Sequence, residues 1–411
     1  MTVSNSDAAP RRGGIPRGIA RTGPAVLSYG FRPFFLGAGV FAVVAMVLWL
    51  GTLIAGWPVG TVYGGANWHG HELVFGYATA ALAGFMLTAI PNWTGRLPVS
   101  GLPLALLFIL WLAGRLALIA SHLVGVPVAG IIDGIFLPVL AAIAAREIIA
   151  GRNWKNVKVL FALCALSAAN FGFHVTVQAG GDPVPMLRAG VAVLLILIML
   201  VGGRVVPSFT RNWLARQGAA RLPRPFGRLD IVAITTAGIA LALWVVVPAR
   251  AELAIVALPA ALLQFVRLVG WRGYRTLREP LVSVLHAAYL FVPLGLLSIG
   301  LAALGWLTPA SALHVLTVGA IGTMTLAIMT RATLGHTGRK LTATGLTVAA
   351  YVALIVAALA RPAADLVPDH YQTLLSIAGG GWIVGFGLFV IQYGPMLLAP
   401  RVRADGAQES R

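Results

Sequence analysis

Apolar positions run along this chain in twelve long stretches, 33–54, 68–90, 102–122, 127–149, 157–178, 187–207, 230–248, 251–270, 281–305, 310–332, 341–360 and 373–398, separated by short polar loops. A helix rises about 1.5 Å per residue, so about 20 apolar residues cross the ~30 Å hydrocarbon core of a bilayer. Each stretch meets that length, which predicts an all-α, polytopic membrane protein with twelve transmembrane helices. An even number of crossings puts both chain ends on one side. None of the intervening loops is long enough to bury a core of its own. The expected organisation is therefore a single transmembrane domain over 32–400. A polar, Gly/Pro/Arg-rich and disordered tail precedes it at 1–31, and a short tail follows at 401–411.

Charge supplies the direction. Of the 30 Lys and Arg, 26 belong to the side that carries the two termini. Three, Arg188, Arg250 and Arg361, fall on the opposite side, and Arg115 lies inside the third stretch. Basic loops stay in the cytoplasm, so both termini are predicted to be cytoplasmic. The composition is 59% hydrophobic with a net charge of +18. A soluble domain is about half apolar at most, so lipid is expected to solvate much of this surface. The basic charge lies next to membrane ends, where anionic headgroups attract it. This excludes nucleic acid as the expected partner. A single cysteine, Cys164, excludes an internal disulfide and any Cys-only metal site.

The chain has no phosphate loop, dinucleotide fingerprint or nucleophile elbow. Its chemistry must rest on polar groups placed where a bilayer makes them costly. Five of the eight histidines, His69, His71, His122, His174 and His314, fall within about 6 Å of the outer boundary by helix rise. Neutral imidazole ligates haem iron and copper, so His69, His71, His174 and His314 are candidate cofactor and metal ligands. At 100° per residue, His69 and His71 point about 200° apart, which predicts different partners for the two. The plainer alternative is that interfacial histidines bond headgroups and water. Five of them in a bundle this poor in polar residues favours a site.

Arg115 and Asp133 lie on consecutive, antiparallel stretches, each about 10 Å deep by helix rise. Matched height predicts an ion pair, either a structural clamp or a functional group: with Glu72 part of a proton path, or a guanidinium that holds a haem propionate. An inner polar layer holds Asn92, Arg204, His286, Arg331 and His336. Positive-inside anchoring accounts for its arginines. The remaining polar groups suit a cytoplasmic proton or substrate path.

The runs Phe31-Arg32-Pro33-Phe34-Phe35, His69-Gly70-His71-Glu72 leading to Pro91-Asn92-Trp93-Thr94-Gly95, and His314 through Met324-Thr325 to Arg331-Ala332-Thr333-Leu334-Gly335-His336-Thr337-Gly338 resemble the NnrS family. The resemblance covers nearly all of 28–398. It implies a twelve-span protein of the bacterial inner (cytoplasmic) membrane that contains haem and copper and is associated with nitric oxide metabolism and nitrosative stress. His71 and His314 are the first candidates for axial haem ligands, since each lies about a turn inside the membrane on a family-like run. The haem would be of b type, because no Cys-x-x-Cys-His is present to attach a c-type haem.

The function expected on this basis is binding of nitric oxide and its reduction. In that reaction two NO, two electrons and two protons give N2O and water, with an electron donor not visible in the sequence. A secondary transporter, which also commonly has six plus six spans, and a non-catalytic haem or copper protein that senses nitric oxide are the competing classes.

Overall fold

The twelve apolar stretches form twelve helices in a computed structural model that describes residues 23–402. They are span 1 (Phe31–Ala55), span 2 (Gly65–Thr94), span 3 (Leu102–Ile119), span 4 (Ser121–Ala150), span 5 (Trp154–Gln178) and span 6 (Val184–Arg216). The second half holds span 7 (Arg228–Val246), span 8 (Glu252–Arg275), span 9 (Pro280–Ala303), span 10 (Pro309–His336), span 11 (Gly345–Leu366) and span 12 (Pro368–Leu398). No β-strand occurs among the described residues. Of the N-terminal tail, 1–22 lie outside the described residues, and Ala25–Leu27 form a 3-10 turn whose Leu27 carbonyl accepts from Gly101 N at 2.9 Å. Of the C-terminal tail, 403–411 lie outside them.

Local chemistry sets the ends. Thr308 caps span 10 by accepting from Ser311 N at 3.0 Å, and Thr344 caps span 11 by accepting from Thr347 N at 3.3 Å. The second cap moves span 11 to 345–366 from the expected 341–360, so Arg361 lies in the helix rather than in a loop. Span 6 runs on through Pro207 to Arg216 and ends before Gly218, which adopts φ +68°.

Sequential spans pack as antiparallel neighbours, and span 12 returns to pack on span 1. Spans 2, 6 and 10 meet one another inside the bundle. Each contains a π-helical segment: Glu72–Ala78, Ile198–Gly202 and Val315–Gly322. A π turn bonds i→i+5, adds a residue to the turn and frees carbonyls from the regular ladder. Side chains take these up. Trp111 Nε1 donates to Gly76 O at 3.0 Å, and Arg267 Nη2 to Met199 O at 3.1 Å. Arg267 is fully buried, paired with Asp230 Oδ1 at 2.8 Å and donating to Tyr289 Oη at 2.5 Å. This network joins spans 6, 7, 8 and 9 around the π segment of span 6.

Candidate functional site: a buried histidine–carboxylate cluster beside a histidine-lined cavity

Four helices and one loop bring a charged cluster together inside the charge-poor half of the bundle. Span 2 supplies His71 and Glu72 at the start of its π segment, and span 3 supplies Arg115. Span 4 gives Asp133, span 5 gives Asn170 and His174, and the loop before span 2 gives Tyr63. Glycines make the approach possible. A Cβ at Gly130 would lie 2.9 Å from the His174 side chain, and one at Gly114 would lie 3.0 Å from Asp133. Gly76 faces the Arg115 guanidinium and leaves it the room to reach Glu72.

The hydrogen bonds form one network. Arg115 Nη1 donates to Glu72 Oε1 at 2.7 Å, and Arg115 Nη2 pairs with Asp133 Oδ1. His71 Nδ1 lies 3.2 Å from Glu72 Oε1. His71 Nε2 lies 2.8 Å from Asn170 Oδ1 and 3.3 Å from Asp133 Oδ2. Asn170 Nδ2 donates to Asp133 Oδ2 at 2.8 Å. His174 Nε2 lies 3.0 Å from Asp133 Oδ2, and its Nδ1 lies 3.0 Å from Tyr63 Oη. Burial, reinforced by the Glu72 carboxylate, pushes the Tyr63 phenol up, so it stays neutral.

This network is short of one proton and one positive charge. Both nitrogens of His71 face acceptors, yet a neutral imidazole carries one N–H. Two carboxylates against one guanidinium leave one negative charge if both imidazoles are neutral. A proton or a metal cation between the imidazoles and Asp133 would meet both deficits. One ligand atom from each of His71, Asp133 and His174 lies within 4.8 Å of the others. Glu72 holds the second nitrogen of His71 and Tyr63 that of His174, the outer-sphere support that metal-bound histidines use. These residues can hold a metal ion.

The other two candidate histidines lie elsewhere. His69 and His314 line a cavity of about 370 Å³ bounded by spans 1, 2, 6, 10, 11 and 12. That volume is in the range of pockets for small molecules and cofactors, about 300–1,000 Å³. His69 stacks on Trp49, ring centroids 4.6 Å apart, and its Nδ1 is buried with no hydrogen-bond partner among the described residues. His314 Nδ1 donates to Ala310 O at 2.7 Å, which leaves Nε2 as the free ligand atom. Arg188 and Arg361 line the same cavity. Arg188 donates to Trp244 O at 3.3 Å through Nη1, while its Nε is buried without a hydrogen-bond partner among the described residues. Arg361 pairs with Asp365 at 3.2 Å, and Asp365 also accepts from Thr308 at 2.5 Å and Ser311 at 2.8 Å. That bond set fixes span 11 to the start of span 10, where His314 lies.

The structure thus groups His71 with His174 and His69 with His314. It does not bring His71 and His314 together. His122 is exposed at the start of span 4 and joins neither group. The inner-layer residues do not form one site. Asn92 and Arg204 are exposed. His286 Nε2 lies 2.7 Å from Thr210 Oγ1, Arg331 sits 4.1 Å over the Phe209 ring, and His336 stacks on Tyr29 at 5.9 Å. Tyr63, Arg188 and Arg361 escape the sequence reading as site residues. For the two arginines a signal exists, since both break the charge asymmetry of the loops.

No curated protein matches the chain. The profile of the NnrS protein family matches residues 25–401, nearly its whole length. This chain, a multi-pass membrane protein with a buried His–Asp cluster able to hold a metal, belongs to the NnrS family, which is associated with nitric oxide and with haem and metal binding.

Proposed function

We propose that the chain binds haem b in the large cavity through His69 and His314, holds copper at His71, Asp133 and His174, and acts on nitric oxide, reducing it to nitrous oxide. One observation carries the reading. Two of the three arginines on the charge-poor side line the same cavity as two histidines. Haem offers a metal that needs imidazole and two carboxylates that need guanidinium, and this cavity presents both. When bound, haem supplies an iron centre for binding nitric oxide and for one-electron chemistry. Trp49 orients His69, and the Ala310 carbonyl orients His314. Imidazole and carboxylate ligands suit copper at the neighbouring cluster. Glu72 and Arg115 hold that cluster's geometry, and electrons come from a separate donor.

Purified protein is expected to show a Soret band, and its pyridine haemochrome should be that of haem b. With an artificial reductant and no oxygen it should consume nitric oxide. A folded, cofactor-supplied preparation without colour would overturn the haem assignment. A coloured one that binds but does not consume nitric oxide would overturn the catalytic part.

The same reading takes the charge-rich face as cytoplasmic, in the inner membrane of a bacterium. A periplasm-active reporter fused after Leu398 is expected to be silent, and one placed in the 179–183 loop to be active. The reverse pattern would invert the bundle.

A further inference from the structure

A second, smaller cavity of about 90 Å³ lies near the middle of spans 2, 6 and 10, where their π segments meet. Its walls are apolar apart from Thr325. The Thr325 hydroxyl is already engaged, donating to the carbonyls of Ile321 at 2.8 Å and Gly322 at 2.9 Å and contacting Tyr77. A buried water needs two to four polar partners, and this cavity offers it none. It is dry, and it excludes ions and hydrogen-bonding solutes. An engineered apolar cavity of about 150 Å³ takes benzene or xenon, so the space here suits something smaller than a ring.

The cavity also has a direction. Leu82, Phe85, Val201 and Ile328 on its wall are half-buried, so one side faces the hydrocarbon between spans 2 and 6. On the other side Ala78, Leu194 and Ile321 line both this cavity and the large one that holds His69 and His314. Those three apolar residues form a wall that the two cavities share.

We infer that this small cavity is a binding and access site for an uncharged diatomic gas, which enters from the lipid at mid-depth and passes the Ala78–Leu194–Ile321 wall to the histidine-lined cavity. Nitric oxide is uncharged and concentrates in hydrocarbon, so a lipid-side route delivers it from where it is most abundant. The identity of the gas rests on the proposed haem function; the cavity's capacity for an apolar diatomic does not.

Two measurements on the full chain in lipid nanodiscs test this. Xenon, an apolar probe of similar size, should occupy the small cavity in a structure of the protein under xenon pressure. Xenon absent there, or an acyl chain filling the space, would overturn the inference whatever the haem content. Ala81→Phe should plug the cavity, since Ala81 is a buried part of its wall. In anaerobic stopped-flow with nitric oxide the plugged variant, with Soret band intact, should react at least about tenfold more slowly, as expected where access limits association. An unchanged rate with an intact Soret band would overturn it. Wild-type protein without a Soret band would sink the haem reading alone and leave xenon to decide on the cavity.

Discussion

Arg115→Leu is expected to cost the protein about 3–5 kcal/mol, the usual scale for stranding buried charge. The cost follows from counting. Arg115 stands between Glu72 and Asp133, and all three are at most 2% exposed. Removing it leaves two uncompensated carboxylates in a low-dielectric interior. Asp133→Leu is a different case. Glu72 and Arg115 remain paired at 2.7 Å and balance each other. The loss is that of its contacts with Arg115 Nη2, His71, Asn170 and His174, about 1–3 kcal/mol for the partners left unsatisfied. The double variant carries one bare carboxylate instead of two, so it should be more stable than Arg115→Leu and less stable than Asp133→Leu. Thermal unfolding of the metal-free proteins in one detergent gives the order directly. Equal losses from both single changes that add in the double variant would show that the charges do not act on one another.

The twelve helices are legible in the sequence because a bilayer imposes one length on every crossing and leaves few other solutions for an apolar chain. Depth is legible for the same reason: helix rise places Arg115 and Asp133 at one height on antiparallel neighbours, and they meet. Azimuth is legible only in part. The 100° step separates His69 from His71, and they do face different sites. What each one meets depends on which helices are neighbours in space, and local sequence does not carry that. The π segment that begins at Glu72 compounds the difficulty, since its extra residue rotates everything after it relative to a regular helix. Arg188 and Arg361 are hidden for another reason. A loop count treats them as exceptions, and only the late start of span 11 behind Thr344 reveals that Arg361 is in a helix and against the cavity.

The histidines should separate into two classes by what each variant loses. His69→Ala and His314→Ala are expected to abolish the Soret band or shift it strongly, because each removes an imidazole from the wall of the large cavity. His71→Ala and His174→Ala should keep the Soret band and lose the second metal, since each removes one of three converging ligand atoms. Loss of an outer-sphere support should be milder. Tyr63→Phe removes only the hydroxyl that positions His174 Nδ1 at 3.0 Å, and such losses weaken metal affinity by about 10–100-fold. Absorption spectra and elemental analysis on the same preparations report the two classes independently, so an unfolded variant, which loses both, is recognised at once. His122→Ala, exposed and outside both groups, should retain both signals. A spectrum lost in His71→Ala but intact in His69→Ala would move the haem into the charged cluster. That outcome would require Arg115, Glu72 and Asp133 to rearrange around a porphyrin, which their mutual contacts and complete burial oppose.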